Sequence, residues 1–162
     1  GWKEVARVET PIAHDLALNP RRFAAWEMLA LHYEEALREL LSDVAQWVGV
    51  SRWPSAAMVH QPKLAMLQRR TRRAWVAAVH ACGTETDRGF TEDNLACSMY
   101  REAQSLPPIA DQRNKTAERG RAWRRSLEGA LAAFRRAESC LSEEWSFPYF
   151  QGKILAKFGS PP

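Results

Sequence analysis

The sequence predicts an all-α protein, an irregular helical-repeat solenoid that takes in residues 1–162 as one region. Three observations carry that expectation. Alternating runs of Val, Ile and Thr are absent, and Ala, Leu, Arg and Glu dominate between Pro and Gly breaks. Apolar residues recur at helical spacing through several long segments. Finally, Pro20 is followed by Trp26-x-x-Leu29-Ala30-x-x-Tyr33, which puts two aromatics, a leucine and a small residue on one helix face. Such a stripe cannot bury itself and needs neighbouring helices.

The elements follow in order. Thr10-Pro11 reads as an N-cap with proline at the first helical position, opening a helix over 11–18 that Asn19-Pro20 stops. A long helix over 22–47 carries Phe23, Trp26, Leu29, Ala30, Tyr33, Leu37, Leu40, Leu41 and Val44 on its apolar positions. The motif is that of a tetratricopeptide first helix, whose repeat of about 34 residues would turn soon after Tyr33. Ala36-Leu37-Arg38-Glu39-Leu40 offers no breaker, so the repeat is irregular. Residues 49–55, with Trp53-Pro54, read as a connection. A helix over 62–81 opens at or before Pro62 and stops at Cys82-Gly83-Thr84, and a loop to Gly89 precedes a helix over 91–104. Leu106-Pro107-Pro108-Ile109 breaks the chain and leaves Asp111-Gln112-Arg113 in an exposed linker. Helices over 117–140 and 147–158 complete the pass.

Repeat phase returns near the end. Ala130, Phe134 and Ala137 match the A-x-x-x-F-x-x-A pattern of a second helix, Gly152 falls at the small-residue position of the next first helix, and Gly159 at its turn. Together with Pro20, Trp26, Leu29, Ala30 and Tyr33 these are the expected packing positions. Gly152 in particular is expected beneath a closely approaching helix, so that Gly152→Leu would loosen the last helix pair.

Composition narrows the class. Hydrophobic residues at 46% against 26% charged give a globular balance and exclude a disordered chain. Seven Trp suit grooves between helices. Cys82, Cys97 and Cys140 are too scattered for a disulfide framework or a zinc site and fit a reducing compartment. Apolar runs such as 74–79 are too short for a bilayer, and no leader is visible. A net charge of +4 permits acidic partners without requiring nucleic acid. The chain starts at Gly1 and ends in Gly159-Ser160-Pro161-Pro162 soon after a helix opens, which reads as a piece of a longer repeat protein.

No G-x-S-x-G, H-E-x-x-H, phosphate loop or dinucleotide turn occurs, so no catalytic, metal or cofactor residues are assigned and the chain reads as no enzyme. Glu34-Glu35, Glu85/Asp87 and Glu143-Glu144 look like solvated faces or caps. His14, His32, His60 and His80 are scattered, and His80-x-Cys82 lacks further ligands. The candidate partner-binding residues are Arg69, Arg70, Arg72 and Arg73, with Lys63 upstream and Arg119, Arg121, Arg124 and Arg125 on a later helix. They fit docking to an acidic segment or to phosphates. They fit equally a solvated face whose stems cover apolar surface and whose charges pair with Glu on adjacent helices. Direct nucleic-acid binding is disfavoured, since no aromatics interleave with the arginines. Asp111, Gln112 and Arg113 read as a partner-contact loop or as a latch that caps the following helix.

Four passages resemble the Cabin family of calcineurin-binding proteins, the large helical subunit of the HIR histone-chaperone complex. Asn19-Pro20-Arg21-Arg22-Phe23-x-x-Trp26-x-x-Leu29-Ala30-x-x-Tyr33-x-Glu35 is similar to that family's repeat entry, Arg69-Arg70-Thr71-Arg72-Arg73 to its arginine-rich helix, and Leu95-Ala96-x-x-x-Tyr100 to its next helix. The run from Pro108-x-x-Asp111-Gln112-Arg113 through Ala122-Trp123 and Phe134-x-x-Ala137 to Trp145-Ser146-x-x-Tyr149-x-x-Gly152-Lys153-x-x-x-Lys157-x-Gly159 resembles its closing stretch. Segments 51–62 and 82–90 depart from the pattern. The resemblance implies a non-enzymatic scaffold for replication-independent nucleosome assembly, nuclear, with other chaperone subunits as partners and histones reached through them. The animal member also restrains calcineurin, through a region outside this one. The alternative is a generic tetratricopeptide-type adaptor or co-chaperone module of another complex, in the cytoplasm; irregular repeats disfavour a carboxylate clamp of the co-chaperone kind.

Overall fold

Proline placement decides the first corner. Residue 19 precedes a proline and is pushed out of helical geometry, so the first helix ends at Leu18, where Asn19 N still donates to Asp15 O at 2.8 Å. The indole of Trp26 then folds back, and its Nε1–H donates to the carbonyl of Pro20 at 2.8 Å. Arg22 adds an ion pair to Asp15 at 2.8 Å across the same turn. The spacing from Pro20 to Trp26 is therefore a corner with a latch, and half-buried Trp26 does both jobs.

The computed structural model describes residues 5–47, 53–105 and 117–159. They form six α-helices with no strand among the described residues: α1 Val5–Leu18, α2 Phe23–Trp47, α3 Trp53–Ala81, α4 Glu85–Ser105, α5 Ala117–Cys140 and α6 Ser146–Gly159. Each packs chiefly on its neighbour in sequence. The α2–α3 and α4–α5 pairings are extensive, and α1–α2, α3–α4 and α5–α6 are narrower. This nearest-neighbour order is that of an all-α helical-repeat fold.

Three helix starts lie earlier than local signals place them. α1 runs through Pro11 and α3 through Pro62, and both prolines are exposed. In α1 the turn before Pro11 is held from outside, because Glu9 accepts two hydrogen bonds from Arg70 of α3 and Ile12 and Leu16 are buried. In α3 the Trp53-Pro54 pair opens the helix, since a proline in the first turn forfeits no intrahelical bond. α4 starts at Glu85 because Thr84 caps it. Asp87 N donates to Thr84 Oγ1 at 3.0 Å, and the hydroxyl donates to Asp87 Oδ2 at 2.7 Å. Gly89 and Thr91 accordingly lie within α4, and Thr91 is buried.

Small residues line the two extensive seams. Ala30 and Ala36 on α2 and Ala74 and Ala78 on α3 are buried, as are Ala96 and Ala103 on α4 and Ala130, Ala133 and Ala137 on α5. Leu29, Tyr33, Leu40, Leu67, Trp75, Leu95, Leu127 and Phe134 are buried around them. Thr71 stays satisfied in this core by donating to Leu67 O at 2.9 Å. At the far end, Phe134 stacks on Phe150 with ring centroids 5.2 Å apart, and Tyr100 meets Phe150 edge-on at 5.8 Å. That aromatic group joins α4, α5 and α6.

The glycines correct one expectation. Gly152 is exposed on α6, and a Cβ added there would meet nothing within 4 Å, so no described helix approaches it. Gly159 is likewise open and ends α6. Close approach occurs instead at Gly129, against the flexible Met99 side chain, and at Gly89, where a Cβ would lie 2.6 Å from Leu141 Cγ and 3.0 Å from Cys140 Cβ. Chemical denaturation will separate the two. Gly89→Leu should cost about 1–3 kcal/mol by overpacking, whereas Gly152→Leu should be neutral or gain up to about 1 kcal/mol of helix propensity. Equal destabilisation would contradict this placement.

Candidate protein-interaction surface

The arginine cluster of α3 divides by direction. Arg70 Nη1 reaches Glu9 Oε2 on α1 at 2.7 Å, with its guanidinium 5.9 Å from the centre of the Tyr33 ring. Arg72 Nη2 reaches both oxygens of Glu102 on α4 at 2.6 and 2.7 Å, and Ser126 of α5 donates to the same carboxylate at 3.3 Å. These two arginines bind helices to one another. Arg69 and Arg73, four residues apart, point outward and make no ion pair among the described residues. Of the wider set, Arg121, Arg124 and Arg125 are exposed on α5, and Arg124 lies 5.6 Å from the Phe158 ring centre. Asp111, Gln112 and Arg113 lie outside the described residues, and Arg119 is on α5.

Two further carboxylates bridge helices. Glu34 of α2 accepts from Trp75 Nε1 of α3 at 3.0 Å and from Arg101 Nη2 of α4 at 3.3 Å. Glu92 of α4, almost fully buried, takes a bidentate pair from Arg136 of α5 at 2.6 and 2.8 Å, which raises the guanidinium pKa further. Neither was visible as a site in the sequence, since each partner lies 41 residues or more away. The same packing quiets the titratable groups. Burial, and then Glu9, pushes the Tyr33 phenol up to about 12. Burial, and then Asp93, pushes the Cys97 thiol up to about 12, leaving it protonated and a poor nucleophile at neutral pH. Among the described residues no group of three or more His, Cys, Asp or Glu could hold a metal ion, and no helix is long and apolar enough to cross a membrane.

The remaining apolar exposure is spread along the chain, with Val8 and Leu18 on α1, Val76 on α3 and Phe90 on α4 outward as well. Met28 and Leu31 face outward on α2, while Trp145, Tyr149 and Leu155 face outward on or beside α6. Most of the Trp145-Ser146-x-x-Tyr149-x-x-Gly152-Lys153 run is on the surface: Trp145 is 74% exposed, Tyr149 50%, and Lys153 sits 4.7 Å from the Tyr149 ring centre.

Six helices packed each on its neighbour in sequence, with exposed apolar and basic side chains, define an α-helical-repeat protein with candidate interaction faces. Over 146 residues, 90% of this chain, the sequence is 29% identical to calcineurin-binding protein 1 of Arabidopsis thaliana. The match takes up 8% of that relative's length. No family model matches the chain, and no solved structure matches it.

The division of the arginines can be tested by paired charge reversal. Arg69→Glu with Arg73→Glu should leave urea unfolding within about 0.5 kcal/mol of the parent. Arg70→Glu with Arg72→Glu sets like charges against Glu9 and Glu102 and should cost about 1–3 kcal/mol. Indistinguishable midpoints would refute the division.

Proposed function

We propose that the chain is a non-enzymatic protein-interaction scaffold in a nuclear histone-chaperone complex that assembles nucleosomes independently of replication. The observation that carries this reading is the 29% identity over 90% of the chain to a calcineurin-binding protein. The resemblance of the Trp145 to Lys153 run to the Cabin family supports the finer assignment, because most of that run faces solvent and packing among the described helices does not demand it. Stacked helices offer long, rigid surfaces made from many residues, each contributing modestly, which suits assembly of several subunits. In this reading the partners are other complex subunits, histones are reached through them, and Arg69 and Arg73 engage acidic partner segments rather than DNA.

The relative's name favours a second reading, in which this segment contributes to binding the phosphatase calcineurin. Affinity purification from separate nuclear and cytosolic extracts tells the two apart. The parent polypeptide carrying Arg69→Glu and Arg73→Glu is compared with the unaltered one, and each is identified by mass spectrometry. Recovery of histone-chaperone subunits from the nuclear fraction, reduced by the reversal, is the expected result. Recovery of calcineurin or co-chaperones alone, or no nuclear pool, would refute the chaperone assignment.

A further inference from the structure

α3 contains no Asp or Glu in its 29 residues, so its arginines cannot be neutralised from within the helix. Arg70 and Arg72 are each matched by one carboxylate from another helix, Glu9 of α1 and Glu102 of α4. Arg69 and Arg73 are exposed and make no ion pair among the described residues. They stand one turn apart, and exposed Val76 and His80 continue the same outward row. Buried Leu67, Thr71, Ala74, Trp75 and Ala78 lie on the opposite side of the helix, toward the core. α2 and α4 pack on α3 from its other sides. In a stack where each helix meets its sequence neighbours, a further repeat of the parent polypeptide would add beside α1 or α6, not over this row.

We propose that Arg69 and Arg73 clamp one phosphate monoester, the phosphoserine or phosphothreonine of an extended segment in a partner protein, while Val76 takes an apolar residue two positions along that segment. The proposal names the chemistry of the acidic segment in the scaffold reading and rests on that reading. Side chains four residues apart on a helix start about 5–6 Å from each other, so both guanidinium groups reach a single bound group. Glu9 and Glu102 show that one carboxylate on α3 takes a single arginine. A phosphate monoester brings three acceptor oxygens and a charge of about −1.5 to −2 at neutral pH, which matches two guanidinium forks. Val76 lies about 7 Å along the helix axis from the middle of the pair, a distance that an extended peptide covers in about two residues. Nucleic acid calls for a longer basic track with exposed aromatic platforms. Here the track is two residues wide, bounded by arginines already neutralised, and Trp75 is buried. An anionic membrane surface calls for clusters of about 4–8 cations, which this row lacks.

The test presents the purified parent polypeptide with three immobilised peptide libraries, identical except at a fixed central position that holds phosphoserine, serine or glutamate. The phosphoserine library should be retained at least about tenfold better than either of the others. Retained peptides should be enriched in an apolar residue two positions from the phosphoserine, and Val76→Ser should erase that preference. Arg69→Lys with Arg73→Lys keeps both charges and removes both forks, so it should lower phosphoserine retention about tenfold and leave glutamate retention unchanged. Equal retention of phosphoserine and glutamate peptides, or phosphoserine retention that the lysine pair leaves intact, would overturn the clamp. In extracts, partners lost on Arg69→Glu with Arg73→Glu should be lost equally when the extract is first treated with phosphatase. Partners lost on the arginine reversal but indifferent to phosphatase would overturn the clamp and leave the scaffold reading standing.

Discussion

Glu34 is where the two halves of the chain are tied. Its carboxylate, only 18% exposed, is reached by the Trp75 indole from α3 and by the Arg101 guanidinium from α4. A largely buried carboxylate is costly without donors, so both must be in place for the helices to sit as they do. The apolar seams fix geometry within the α2–α3 and α4–α5 pairs, but the join between those pairs is narrower. Polar groups are concentrated there, with Arg72 and Ser126 converging on Glu102 beside the contacts of Glu34. Hydrogen bonds are directional where apolar packing is not, and a narrow join needs direction to hold one register.

What the sequence makes legible is what a helix repeats. Leu29, Ala30 and Tyr33, and Ala130, Phe134 and Ala137, fall on buried faces because periodicity follows from helix geometry alone. Pro11 and Gly89 read as helix boundaries yet lie inside α1 and α4, because breaker rules weigh local propensity, whereas partners from other helices decide whether a turn survives. The Thr84-x-x-Asp87 cap was available and marks the true start of α4. The pairs Arg70–Glu9, Arg72–Glu102 and Arg136–Glu92 were not legible, since they depend on which helix faces meet across 30 residues or more. Gly152 shows the opposite failure: a motif residue taken for an intrachain contact stands on the outer surface.

Folding sorts the exposed groups differently on different helices. α3 keeps Arg69 and Arg73 once its other arginines are bound, and α6 keeps an apolar face with a lysine edge. Exposed charge and charge used for cohesion are thus interleaved along one helix, so a cluster of arginines in sequence is no measure of a charged patch in space.

The coupling of the two helix pairs through buried carboxylates is tested most directly by hydrogen exchange, resolved by segment, in the Glu34→Ala, Glu102→Ala double variant. In the unaltered protein the amides of α2–α3 and α4–α5 should open together. In the variant they should separate into two units with different opening free energies. A variant whose four helices still open as one unit, merely at lower stability, would show that the apolar seams alone carry the coupling and would contradict the central role given to Glu34.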